Sequence, residues 1–126
     1  MSYLIVFLGA GVGGALRHGF NIGAARLFGT GFPFGTLGVN VIGSFVMGLL
    51  AGYFAFKGEA SQTWRLLLTT GVLGGFTTFS TFSLDVALLW ERGDITGMTL
   101  YLVTSVALSI GGLFAGLALV RQFAGG

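Results

Sequence analysis

The densest concentration of unusual chemistry is the run Gly71-Val-Leu-Gly-Gly-Phe-Thr-Thr-Phe-Ser-Thr-Phe-Ser83, with three glycines, five hydroxyl residues and three phenylalanines. Interior glycine costs a helix ~1 kcal/mol relative to alanine, and threonine is a mediocre helix former. Ser and Thr hydroxyls also offer the backbone competing local hydrogen bonds. The run therefore predicts a helix broken in its middle, against the plainer alternative of a well-packed small-residue helix. In a membrane, irregular backbone is tolerated only inside protein or beside a water-filled cavity. Freed carbonyls there can hold a cation such as Na⁺.

Neutral hydrogen-bond donors recur along the chain at Thr36, Asn40, Ser80, Tyr101, Ser105 and Ser109. Phenylalanine rings add a positive edge and a negative face. Ring edges and N–H or O–H donors can hold an anion without a fixed cation. Conduction needs weak, multi-site binding, so such a lining suits a small, strongly hydrated anion that must still leave. These residue types specify a small anion and no particular one.

Other chemistry is thin. The single histidine, His18, reads as a packing or interface residue, and there is no cysteine. The four carboxylates are Glu59, Asp85, Glu91 and Asp94, three of them expected in loops. They suggest neither a metal cluster nor a nucleophile–base pair, so the chain reads as a non-enzyme. Asp85 is expected to make a structural polar contact. Arg17 stands out, because a charge at a helix centre costs at least ~2.5–3.5 kcal/mol and is functional by default. It either snorkels from a helix end, or takes a structural or electrostatic role such as drawing an anion into a vestibule. The segment Gly9-Ala-Gly-Val-Gly-Gly14 contains G-x-G-x-x-G, but it is continuously apolar and no acidic residue precedes Glu59. The dinucleotide fingerprint needs a preceding strand and a downstream acid, so helix packing is the better reading.

The elements that position these residues follow from composition. Of 126 residues, 54% are hydrophobic and 8% charged, against about 25% charged in soluble domains. Lipid is the implied solvent. A spanning helix needs ~20 apolar residues, and the uncharged stretches Met1–Leu16, Leu27–Phe56, Leu66–Leu84 and Ile95–Val120 supply four. The first reads as a retained helix, since it lacks a basic leader region and a convincing cleavage site. The predicted spans are Tyr3 to about Ile22, Pro33 to about Phe56, Arg65 to Trp90, and a last helix ending near Arg121. The connection Lys57–Trp64 joins the middle two, and residues 1–126 form one four-helix transmembrane domain. Tyr3, Trp64 and Trp90 fall at span ends, where amphipathic rings favour the interface. The six basic residues are scattered singly, which argues against a nucleic-acid partner.

Glycine is abundant at 24 of 126 residues. The pairs Gly9/Gly13, Gly48/Gly52, Gly71/Gly75 and Gly112/Gly116 have the four-residue spacing that lets helix backbones approach closely in lipid. Helix 2 extends this into the ladder Thr36, Asn40, Ser44, Gly48, Gly52. Four spans place Lys57, Arg65 and Arg121 on one side and Arg26 and Arg92 on the other, with Arg17 buried near the latter. That is no usable positive-inside bias. It predicts insertion in both orientations, against the plainer alternative of a marginal bias in a singly oriented protein, and permits an antiparallel dimer, which also fits the rarity with which four thin helices enclose a pathway alone.

The whole chain resembles the Fluc/CrcB fluoride channels. The resemblance rests on Gly13-Gly-Ala-Leu-Arg17, on Gly35-Thr-Leu-Gly-Val-Asn40 with Gly43-Ser44, and on the Gly71–Ser83 run. It implies an antiparallel, dual-topology homodimer in the cell membrane with two pores that export F⁻ passively and protect microbes from fluoride. By that resemblance Phe79 and Phe82 are aromatic pore residues and Asn40 is the pore amide. Tyr101, Ser105 and Ser109 form a polar track, joined in the expected pore by Thr36 and Ser80. Backbone oxygens of Gly74 and Thr77 bind a structural Na⁺ at the dimer axis, and Arg17 is the family's helix 1 arginine. His18 and Asp85 depart from an aromatic residue and a glutamate often found at their positions. A small dual-topology drug/proton exporter is the alternative, but it should carry a membrane-embedded carboxylate in helix 1, and there is none. A purely structural oligomer would account for the glycines and not for Asn40 or the Phe/Ser/Thr run.

Overall fold

The computed structural model describes residues 1–57 and 62–124, and its elements begin and end where local chemistry dictates. α1 (Ser2–Phe28) stops at Gly29, whose φ of 79° lies in the left-handed region that favours glycine. Pro33 stands immediately before α2 (Phe34–Lys57), and Leu37 N–H closes the first turn on Pro33 O at 3.2 Å. The proline's missing N–H costs little there. The third span comes in pieces: α3 (Gln62–Arg65), a π-helical stretch π1 (Leu66–Leu73), α4 (Gly74–Phe76), and α5 (Ser80–Glu91). Residues 77–79 lie in no helix. A Schellman closure ends α5: Gly93, at φ 76°, donates to Trp90 O and Asp94 N–H to Leu89 O, both at 3.0 Å. Asp94 Oδ1 then accepts Gly97 N–H at 2.9 Å and caps α6 (Ile95–Ala124).

Several expected boundaries are corrected. α1 continues past Ile22 to Phe28, so Arg26 lies in its last turn and Arg17 sits well inside the helix. No strong breaker intervenes, since a lone Gly23 is tolerated in a helix. Of the expected 57–64 connection, Gly58, Glu59 and Ser61 lie outside the described residues, while Gln62–Trp64 belong to α3. α6 runs beyond Arg121.

Four segments, Ser2–Phe28, Phe34–Ala55, Gln62–Glu91 and Ile95–Phe123, are long and apolar enough to cross a bilayer. Phe7, Val103 and Phe114 stand exposed on their outer faces, as lipid-facing side chains should. This is a multi-pass, all-helical membrane protein. Tyr3, Trp64 and Trp90 are exposed near span ends.

The glycine pairs set the packing. α1 lies against π1 and α4, and α2 against α6. A Cβ at Gly9 would stand 2.9 Å from Gly71 Cα, and one at Gly13 would overlap Val72 O. On the other pair of helices, a Cβ at Gly48 would overlap Leu113 O and one at Gly116 would overlap Phe45 O. The helices therefore meet backbone to backbone, a contact that any side chain at these positions would force apart. At one end of the molecule, Arg92 donates to Gly31 O at 2.8 Å, joining the 29–33 connection to the 92–94 turn.

Candidate functional site

The candidate site is organised by the three residues between α4 and α5. Thr77 is extended, at φ −88° and ψ 160°. Its N–H and its hydroxyl both donate back to Leu73 O, at 3.0 and 2.9 Å. The next residue is held from another helix. Asn40 Nδ2 donates to Thr78 O at 3.0 Å and Asn40 Oδ1 accepts Thr78 N–H at 2.8 Å, a two-way amide pairing across 38 residues of sequence. Thr78 Oγ1 accepts Thr81 N–H at 3.1 Å and so caps the start of α5. Arg17 Nε donates to Gly75 O at 3.2 Å from α1. Side chains from α1 and α2 thus take over main-chain groups that a continuous helix would have satisfied itself.

This segment forms one wall of a cavity of about 350 Å³. Asn40 and Ser44 of α2, Thr77, Thr78, Phe79 and Phe82 of the third span, and Ser105 and Ser109 of α6 line it, with apolar residues between. Among the described residues no charged side chain is part of the lining. The Phe79 and Phe82 rings lie 5.7 Å apart at an interplanar angle of 48°. Phe82 is buried, whereas Phe79 is 78% exposed. Ser105 Oγ and Ser109 Oγ are both buried with no hydrogen-bond partner among the described residues. Both residues line the cavity, so these two hydroxyls are donors beside it that no described residue engages.

The structure gathers Asn40, Phe79, Phe82, Ser105 and Ser109 from the residues expected in the pore and leaves three outside the lining. Tyr101 is fully buried behind Phe82, at a ring distance of 5.1 Å, and donates to Asp85 Oδ2 at 3.0 Å. This is the structural contact expected of Asp85. Thr36 is buried within hydrogen-bond reach of the same Tyr101 hydroxyl. Ser80 is exposed, with its Oγ 3.4 Å from Thr78 Oγ1. The physical reason is depth along the helices: Tyr101 and Thr36 lie one turn further toward the Gly31–Arg92 end than Ser105 and Asn40. Arg17 is also outside the lining, bound at the back of the broken segment. Gly74 is exposed and Thr77 lines the cavity. Sequence reasoning missed the lining roles of Ser44 and Thr78, although the first is a rung of the helix 2 ladder and the second lies within the Phe/Ser/Thr run.

Comparison with known proteins adds to this picture. Residues 4–117 match the model of a family described as CrcB-like protein, Camphor Resistance (CrcB). A protein of Nitrobacter hamburgensis named Fluoride-specific ion channel FluC 2 is 63% identical over 122 residues, covering 97% of this chain and 98% of its own. A Rhodopseudomonas palustris protein (strain BisB5) named Fluoride-specific ion channel FluC is 61% identical over 121 residues, covering 96% and 98%. A Methylobacterium nodulans protein of the same name is 58% identical over 123 residues, covering 98% of each.

Proposed function

The chain belongs to the CrcB-like protein family, and from that premise we propose that it is a fluoride-selective channel. It lets F⁻ leave the cell passively across the plasma membrane and so relieves fluoride toxicity. One observation carries the reading: two buried, unpartnered serine hydroxyls line the same uncharged cavity as the Asn40 amide and the Phe79 and Phe82 rings. A buried donor left unsatisfied costs about 1–3 kcal/mol, and a small anion relieves that cost while losing its water. With no fixed cation in the lining, the anion is held by several weak partners and can move on. Arg17, fixed on Gly75 O, adds positive potential behind the segment without touching the cavity. Expression in a bacterial strain lacking fluoride export should restore growth in fluoride, and undiminished sensitivity would contradict the reading.

The functional unit is an antiparallel homodimer. The broken stretch at membrane depth presents Gly74 and Phe79 on the open face of the chain. Irregular backbone is not stable against lipid, so a second copy covers this face. The basic residues give no usable orientation bias, with Lys57, Arg65 and Arg121 toward one side and Arg26 and Arg92, with Arg17 near them, toward the other. Cysteines placed singly at positions 57–64 of this cysteine-free chain should react with membrane-impermeant reagent from both sides. Reaction from one side alone rules out dual topology.

The Gly74 and Thr77 carbonyls fit a structural Na⁺ shared by the two copies. Each has lost the amide that a regular helix would supply, because Thr78 N–H goes to Asn40 and Thr81 N–H to Thr78 Oγ1. Hard cations take such oxygen ligands. Exchange of Na⁺ for a large organic cation should loosen the dimer reversibly and stop flux. Indifference of both to Na⁺ rules the site out.

A further inference from the structure

In a continuous helix each carbonyl accepts the amide four residues on, so Gly74 O would take Thr78 N–H and Thr77 O would take Thr81 N–H. Neither amide goes there. Asn40 Oδ1 accepts the first at 2.8 Å, and Thr78 Oγ1 accepts the second at 3.1 Å. The neighbouring carbonyl of Gly75 is treated differently, since Arg17 Nε fills its vacancy at 3.2 Å. Side chains therefore withdraw donors from the Gly74 and Thr77 carbonyls and supply a donor to Gly75 O, one of the two carbonyls between them. The two left without their helical donors are the two assigned above to the cation.

We infer that Asn40 and Thr78 are positioning residues for the cation site, neither supplying a ligand. Their side chains hold the Gly74 and Thr77 carbonyls open by taking the amides that would otherwise close on them. The inference rests on the cation reading given above. It makes Asn40 a shared element, one edge of its amide at the cavity and the other setting the Gly74 carbonyl through Thr78. A purely structural role predicts something else. If Thr78 were only a helix cap, its loss would lower stability without changing how much Na⁺ is needed.

The test is the melting temperature of purified, detergent-solubilised protein titrated with NaCl, N-methyl-D-glucamine chloride keeping ionic strength constant. A ligand that binds only the folded state raises the melting temperature with a concentration dependence set by its affinity. Thr78→Val should raise the half-saturating Na⁺ concentration at least tenfold, and Thr78→Ser should restore it. Asn40→Leu should raise it similarly, whereas Asn40→Asp keeps the acceptor for Thr78 N–H and should titrate like wild type or more tightly. Should Thr78→Val fail to fold, the contrast between the two Asn40 variants decides. A wild-type protein whose melting ignores Na⁺ overturns the cation site and this inference together. A wild-type protein that responds, with Thr78→Val and Asn40→Leu titrating as it does, overturns the inference alone.

Discussion

Asn40→Asp should lower F⁻ flux at least a hundredfold while the dimer persists. The substitution conserves size, and its remaining oxygen can still accept Thr78 N–H as Asn40 Oδ1 does. What disappears is the amide NH₂. One of its hydrogens bonds Thr78 O, which leaves the other for the cavity. The ionised replacement also sets a like charge against the permeating anion. At a separation of 4 Å and an effective dielectric constant of 20, that repulsion is about 4 kcal/mol, or nearly three decades at ~1.4 kcal/mol per decade. Proteoliposome efflux together with size-exclusion retention measures both halves of the prediction. Flux within threefold of wild type removes Asn40 from the pathway. Loss of the dimer makes the amide pairing with Thr78 essential to folding.

Phe79→Ile and Phe82→Ile should each lower flux at least tenfold with the protein still folded. Isoleucine keeps apolar bulk and removes the ring quadrupole that presents a positive edge to an anion. Phe82 also packs on Tyr101 at 5.1 Å, and an aromatic pair adds about 0.5–1.5 kcal/mol beyond its buried area. Its replacement should therefore cost some melting temperature as well. Phe79 is mostly exposed on the open face of the chain, so its replacement should change flux more than stability. Flux by electrode and melting by intrinsic fluorescence separate the two effects. Near-normal conduction in both variants makes the rings packing residues only.

The chain's membrane character was plain in its sequence, because four long apolar runs must lie in lipid, and the four spanning-length helices follow those runs. The glycine pairs were equally legible, since Gly9 and Gly13 do meet the Gly71–Gly75 stretch at backbone distance. Long-range polar pairings were harder to read. Arg17 read either as snorkelling from a helix end or as structural or electrostatic, and its sequence could not choose because its partner, Gly75 O, lies 58 residues away. That partner lets the charge sit well inside α1. Asn40 read as a free pore amide, whereas most of its hydrogen bonding goes to Thr78. Tyr101 read as part of a polar track, but its hydroxyl is engaged by Asp85. The π-helical stretch Leu66–Leu73 was not foreseen. Its signature is Gly74 N–H reaching back to Thr69 O, and no residue type announces a wide turn of that kind.

The most direct measurement of the central claim is anion efflux from proteoliposomes containing only this chain. Vesicles loaded with equimolar potassium fluoride and potassium chloride, with valinomycin to carry the balancing charge, are diluted into impermeant salt, and both halides are followed outside. Rapid F⁻ release is expected, stopping once the protein-containing vesicles are empty, with Cl⁻ retained over the same period. Release of both halides at similar rates, or of neither, contradicts it.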